Sequence, residues 1–126
     1  DYDAYYKAVN GQVNDLFYYY REQAALKARQ YQRALDDIVK AIELSPKDLT
    51  YRAEHAVVNL RVGRYEESMK ILNEILKDEP KYGEAYRLLG LCQIQLKKTD
   101  EACGNFNKAK ELGDPNVDEL IKKYCK

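Results

Sequence analysis

Proline and glycine are scarce in this chain, three and six among 126 residues. Folds made of many short strands and tight turns use more of both, so the shortage points to helices. One histidine and three cysteines, with no Cys-x-x-Cys and no paired-histidine spacing, argue against a zinc site. No segment approaches the ~18 apolar residues of a membrane-spanning helix. No secretory leader is visible from Asp1 onward. Neither sign of charge is in excess, with 21 basic residues against 21 acidic ones. A nucleic-acid binder normally carries a clustered basic surplus, so that partner is not expected. The motifs GxxxxGK(S/T), GxGxxG and HExxH are missing. The two serines, Ser45 and Ser68, have no base placed for them by the sequence. No cofactor, no metal and no catalytic activity are expected. The chain starts at Asp1 and not at Met, as a mature or truncated product would.

What the sequence does contain is a repeat of 34 residues. Tyr31, Tyr65 and Thr99 fall at that spacing, as do Ala34, Ser68 and Ala102. Ile38, Leu72 and Phe106 follow, then Ala41, Ile75 and Ala109. Pro46 and Pro80 keep the spacing, and Pro115 comes one residue late. A small residue, a large apolar one four on and another three later describe one helix face. A period of this length holds two helices and two turns. It predicts a helical solenoid, in which each hairpin hides its apolar face only against its neighbours.

Helices are expected over Asp15–Arg29, Tyr31–Leu44, Leu49–Val62, Tyr65–Asp78, Gly83–Leu96 and Asp100–Leu112. Asp15 is a candidate cap for the first. Ser45-Pro46, Gly63 and Glu79-Pro80 supply stops and turns. Gly113 suits a helix end and Pro115 the start of a last helix, Pro115–Tyr124. That helix carries Val117, Leu120, Ile121 and Tyr124 on one face and a polar face opposite, as an array needs in order to stop. The expected organisation is three hairpins over 15–114 (15–48, 49–82 and 83–114) with a cap over 115–126. Residues 1–14 read as part of a preceding hairpin or as an N-terminal extension, with a turn at Asn10-Gly11.

These positions resemble the tetratricopeptide repeat family. Repeat one offers Tyr18, Tyr31, Ala34, Ile38, Ala41 and Pro46. Repeat two offers Gly63-Arg64-Tyr65, Ser68, Leu72, Ile75 and Pro80, and repeat three Tyr86, Gly90, Ala102, Phe106 and Ala109. Departures are Glu22 and Ala56 where glycine is usual, Arg52 for an aromatic, Arg29 and Lys97 at the turn glycine, and Thr99 for tyrosine. The resemblance implies an all-α right-handed superhelix, an α-α solenoid of three hairpins with a capping helix. A narrower resemblance links Tyr18-Tyr19-Tyr20-Arg21 and the tail from Ala102-Cys103 to Tyr124-Cys125 to exported repeat proteins of Bacteroidetes-type bacteria. It tilts the expected location toward an extracytoplasmic compartment over the cytoplasm.

The family's concave face comes from the first helix of each hairpin. Here it would offer Tyr19, Tyr20 and Gln23, then Ala53, Glu54 and Val57, then Arg87, Leu88 and Leu91. Such an apolar and aromatic strip suits a peptide or protein segment, with tyrosines as anchors. The alternative is that some of these side chains pack against the N-terminal segment or the adjoining helix. The chain would then be the structural end of a longer array or a self-associating scaffold. A second copy is a further candidate partner, through Tyr2, Tyr5 and Tyr6. Chaperone-clamp members of the family hold a terminal carboxylate with basic residues on these helices. The matching positions are Tyr19, Gln23, Glu54, Glu84 and Leu88, of which two are acidic and none basic. That activity is therefore not expected. Cys103 and Cys125 lie on elements that should pack together, either as a disulfide or as two reduced thiols in one interface. Cys92 reads as a buried inert thiol, and His55 as a core or partly wet side chain.

Overall fold

The computed structural model describes residues 14–125, all of whose regular structure is helical. The seven helices are α1 (Asp15–Lys27), α2 (Tyr31–Leu44), α3 (Leu49–Arg61), α4 (Tyr65–Asp78), α5 (Gly83–Gln95), α6 (Thr99–Glu111) and α7 (Asp118–Tyr124). The chain divides into two compact units, Asp1–Val62 and Gly63–Lys126. The partial hairpin or extension expected before Asn14, with the tyrosines Tyr2, Tyr5 and Tyr6, lies outside the described residues.

In the first unit α1 packs on α2, and α2 on α3. The 34-residue pattern explains why. Ala34, Ile38 and Ala41 line one face of α2 and are fully buried, with Ala25, Leu35, Tyr51 and Val58 completing the cluster. Small residues at the ends of that face let the helices approach, and the branched residue between them fills the gap. In the second unit α4 packs on α5, α5 on α6 and α6 on α7. Ala102, Phe106 and Ala109 repeat the face on α6, and Val117 seals it. Leu120, Ile121 and Tyr124 of α7 pack against this cluster, with the Tyr124 ring 6.4 Å from that of Phe106.

The caps differ from expectation in two places. Asn14, and not Asp15, caps α1, because its side chain accepts a hydrogen bond from the Phe17 N–H at 3.1 Å. Asp15 is thereby left to accept from the Tyr51 hydroxyl at 2.7 Å and the Ser45 hydroxyl at 3.1 Å, tying α1 to the end of α2 and to α3. The terminal helix begins at Asp118, three residues later than Pro115. The Asp114 carboxylate accepts from the Asn116 N–H at 2.8 Å, a local turn that competes with helix and delays its start. A disulfide joins Cys103 of α6 to Cys125 just after α7, closing a loop over a separation of 22 residues.

Turn geometry accounts for the departures at Arg29 and Lys97. Both adopt left-handed backbone, φ 60° and 63°, as Gly63 does at φ 87° between them in the repeat. The bonds from Gln30 N–H to the Ala25 carbonyl and from Arg29 N–H to the Leu26 carbonyl form a Schellman closure. Lys97 and Lys98 make the same two bonds to Ile94 and Gln93. Hairpin closure thus forces two long side chains into a conformation that glycine adopts without penalty. Gly90 shows the opposite constraint, since a Cβ there would overlap the Phe106 ring. We expect Lys97→Gly to stabilise the protein by about 0.5–1 kcal/mol and Gly90→Ala to destabilise it by about 1–3 kcal/mol. Urea unfolding of both variants beside the parent checks the pair of signs.

Candidate acidic and aromatic surface on the first helices

Three of the expected surface residues sit together on α1. Tyr20 is 45% exposed, and Tyr19 and Gln23 are half-buried. The rings of Tyr19 and Tyr20 lie 5.6 Å apart, and Tyr19 stands 5.2 Å from the ring of Tyr51. Burial and then the Glu54 carboxylate push the Tyr19 hydroxyl's pKa up, against a smaller lowering from the neighbouring Gln23 side chain. Glu54 and Val57 on α3 are half-buried, whereas Ala53 is buried. The first unit therefore brings Tyr19, Gln23 and Glu54 into one electrostatic neighbourhood.

The expected residues of the second unit are placed differently. Leu88 is only 4% exposed and belongs to the interior. Leu91 packs against the cluster around Phe106. Arg87 reaches Asp114 at 2.9 Å and Glu84 at 3.7 Å, so its charge is met within its own unit. These three positions offer less open apolar surface than helical spacing suggests, because α5 packs on both α4 and α6. A shallow depression of about 310 Å³ lies beside them, lined by Lys81, Tyr82, Glu84, Arg87 and Asp114 among others.

The residue that helical spacing did not place in this surface is Glu22. It occupies the repeat position of Ala56 and Gly90, and at Gly90 a Cβ would overlap the Phe106 ring of the facing helix. Its side chain is fully buried, and neither carboxyl oxygen has a well-formed hydrogen bond. Burial raises its pKa to about 9, with the neighbouring Glu54 and Asp37 carboxyls adding to the effect. Glu22 is thus a neutral acid at pH 7. The nearby guanidinium of Arg21 is committed elsewhere, donating to both oxygens of Asp37 at 2.9 and 2.6 Å. It also stacks over the Phe17 and Tyr18 rings at 5.2 and 5.7 Å. The signal for Glu22 was present in the sequence as an acid in a glycine position.

Two further reactive groups, Cys92 and His55, are enclosed to different degrees. Cys92 is buried, and burial raises its thiol pKa, which disfavours the nucleophilic thiolate. His55 is partly buried, and its carbonyl accepts from the Asn59 amide at 3.0 Å. Among the described residues no three of His, Cys, Asp or Glu gather as a metal set, and no helix is long and apolar enough to cross a membrane.

Glu22 gives stability a pH dependence of unusual sign. Its folded pKa of about 9 lies above the ordinary 4.5, so between these values the folded state holds a proton that the unfolded chain has lost. Stability then falls as pH rises through this window. Asp15 acts oppositely at the acid end. Its pKa is lowered, chiefly by the Tyr51 hydrogen bond, so its contribution is lost as pH falls below the carboxylate range. Urea unfolding between pH 5 and 8 should show a decline for the parent, and Glu22→Gln should flatten it. A parent stability that rises over this range would contradict the assignment.

The tetratricopeptide repeat profile matches residues 25–88, about half of the chain. The chain is 30% identical over 99 residues to Small glutamine-rich tetratricopeptide repeat-containing protein 2 of Mycosarcoma maydis, covering 79% of this chain and 28% of that protein. It is 32% identical over 101 residues to Heat shock protein STI1 of Saccharomyces cerevisiae, covering 77% of this chain and 17% of that protein. It therefore spans less than a third of these relatives. Among solved structures, the TPR protein YrrB, described with an unusual peptide-binding site, superposes with a TM-score of 0.78 at 20% identity, over 97% of this chain and 63% of that one. The first TPR of Spaghetti (RPAP3), bound to the HSP90 peptide SRMEEVD, gives 0.75 at 21% identity, over 88% and 87%. At such identities the superpositions establish the fold. With the profile match, the helix order and the repeated hairpin geometry, this chain is a member of the tetratricopeptide repeat family.

Proposed function

We propose that the chain is a non-catalytic interaction module that binds a peptide or protein segment through the first helices of its hairpins. The observation that carries this reading is the α1–α3 surface, where Tyr19, Tyr20, Gln23, Glu54 and Val57 remain at least partly open. Tyrosine combines a large contact area with a polar tip and loses little entropy when it anchors a ligand. Family membership supports the reading, as do similar structures described with bound peptides. The ligand chemistry differs from that of a terminal-carboxylate clamp, because the matching positions are acidic or neutral and would repel a carboxylate. An exported location fits the Cys103–Cys125 pair, since structural disulfides persist in oxidising compartments.

Panning a random-peptide phage library on the immobilised chain tests the module. Enriched peptides should bind the parent at least about tenfold more tightly than Tyr20→Glu or Val57→Glu, each a loss near 1.4 kcal/mol. Circular dichroism should first show that the variants keep the parent's helicity. Failure to enrich any peptide, or equal binding by folded variants, would contradict the proposed surface.

A further inference from the structure

Three acids of the first unit, Asp15, Asp37 and Glu22, are met in different ways. Asp37 is satisfied by Arg21, and Asp15 by two hydroxyls. Glu22 is left buried with no well-formed hydrogen bond, and the charged groups that act on it, Glu54 from α3 and Asp37 from α2, are both acidic. Glu54 is half-open to solvent and interacts with Glu22 side chain to side chain. Tyr19 stands beside the same pair, and its ring lies 5.6 Å from that of the exposed Tyr20. A packing role alone would be served by a small residue, as at Ala56, or by none, as at Gly90.

We propose that Glu22 and Glu54 form a subsite for a cationic side chain, lysine or arginine, of the segment bound on the first helices. The proposal rests on the interaction-module reading and specifies its ligand. Two carboxyls behind an aromatic wall are the complement of an organic cation, since the acids supply charge and the ring faces attract it further. No third metal-ligating residue joins them among the described residues, which leaves a metal ion poorly served. The cation meets the half-open Glu54 carboxylate, beside which the buried Glu22 carboxyl lies. Glu22 then releases its proton to solvent and pairs as a carboxylate. Arg21 does not compete for it, being held in two hydrogen bonds by Asp37.

The experiment is an NMR titration of the whole chain with three blocked amino acids, the N-acetyl methylamides of lysine, arginine and norleucine, at pH 6 and pH 8. At least one cationic probe should shift the signals of Tyr19, Gln23 and Glu54, with norleucine binding at least about fivefold more weakly. Release of one proton makes that probe bind up to about tenfold more tightly per pH unit. Glu22→Gln keeps a neutral side chain of the same shape and should abolish both the pH dependence and the charge preference. Glu54→Gln, at a more open position, should weaken the charge preference even if the first variant fails to fold. Equal binding of lysine, arginine and norleucine, no response at these three residues, or a preference unchanged in the folded variants would overturn the subsite. Phage peptides captured without enrichment of lysine or arginine would overturn the subsite alone. Cationic probes that bind while no peptide does would overturn the peptide surface alone.

Discussion

Where the two helices of a hairpin come together, the first must present little bulk if the second presents much. Gly90 meets this demand in the last hairpin, where the Phe106 ring occupies the space a side chain would need. The rest of the unit is arranged around that contact. Ala102 and Ala109 flank the ring on α6, and the cap helix closes over it with Tyr124, helped by the disulfide at Cys103. The same constraint makes Glu22 exceptional. At the corresponding position of the first repeat, where α2 carries the smaller Ile38, a full carboxyl side chain is buried. An unpaired carboxylate cannot stay charged there without a large desolvation penalty, so it keeps its proton.

This one substitution within a repeated pattern links the fold to the surface that is proposed to bind. Repetition distributes stability over equivalent contacts, so a departure at one repeat is tolerated by the others. Tyr19, Gln23 and Glu54 gather around Glu22, while the equivalent strip of the second unit is taken up by packing and by the Arg87–Asp114 pair. The surface proposed to bind therefore lies on the first unit. In the last hairpin, the positions with the same spacing serve mainly to hold α5 in place.

Much of this was legible in the sequence because helix-on-helix packing imposes its own period. The spacing of Ala34, Ile38 and Ala41 and its echoes specify which face is buried, and the observed helices begin and end within one or two residues of the expected ones, except at Pro115. The exception arises from side-chain competition that periodicity does not encode, in which Asp114 bonds to the backbone two residues on. Asn14 displaces Asp15 as cap for a similar reason, since neighbouring polar residues are interchangeable until tertiary partners such as Tyr51 are known. Leu88 and Leu91 lie on the predicted face, yet helical spacing cannot tell an open face from one covered by a second neighbour. Glu22 was visible as a departure from glycine, but its neutral state depends on Glu54 and Asp37, which lie on other helices.

The most direct test of this account is the ionisation of Glu22 itself, followed by its side-chain carboxyl carbon in an NMR pH titration of the folded chain. The account predicts a midpoint near 9, far above the ordinary 4.5, because the group is buried beside two other acids. A midpoint in the ordinary glutamate range would mean that the carboxyl is solvated or paired with a base, and would contradict both the buried neutral acid and the cation subsite built on it.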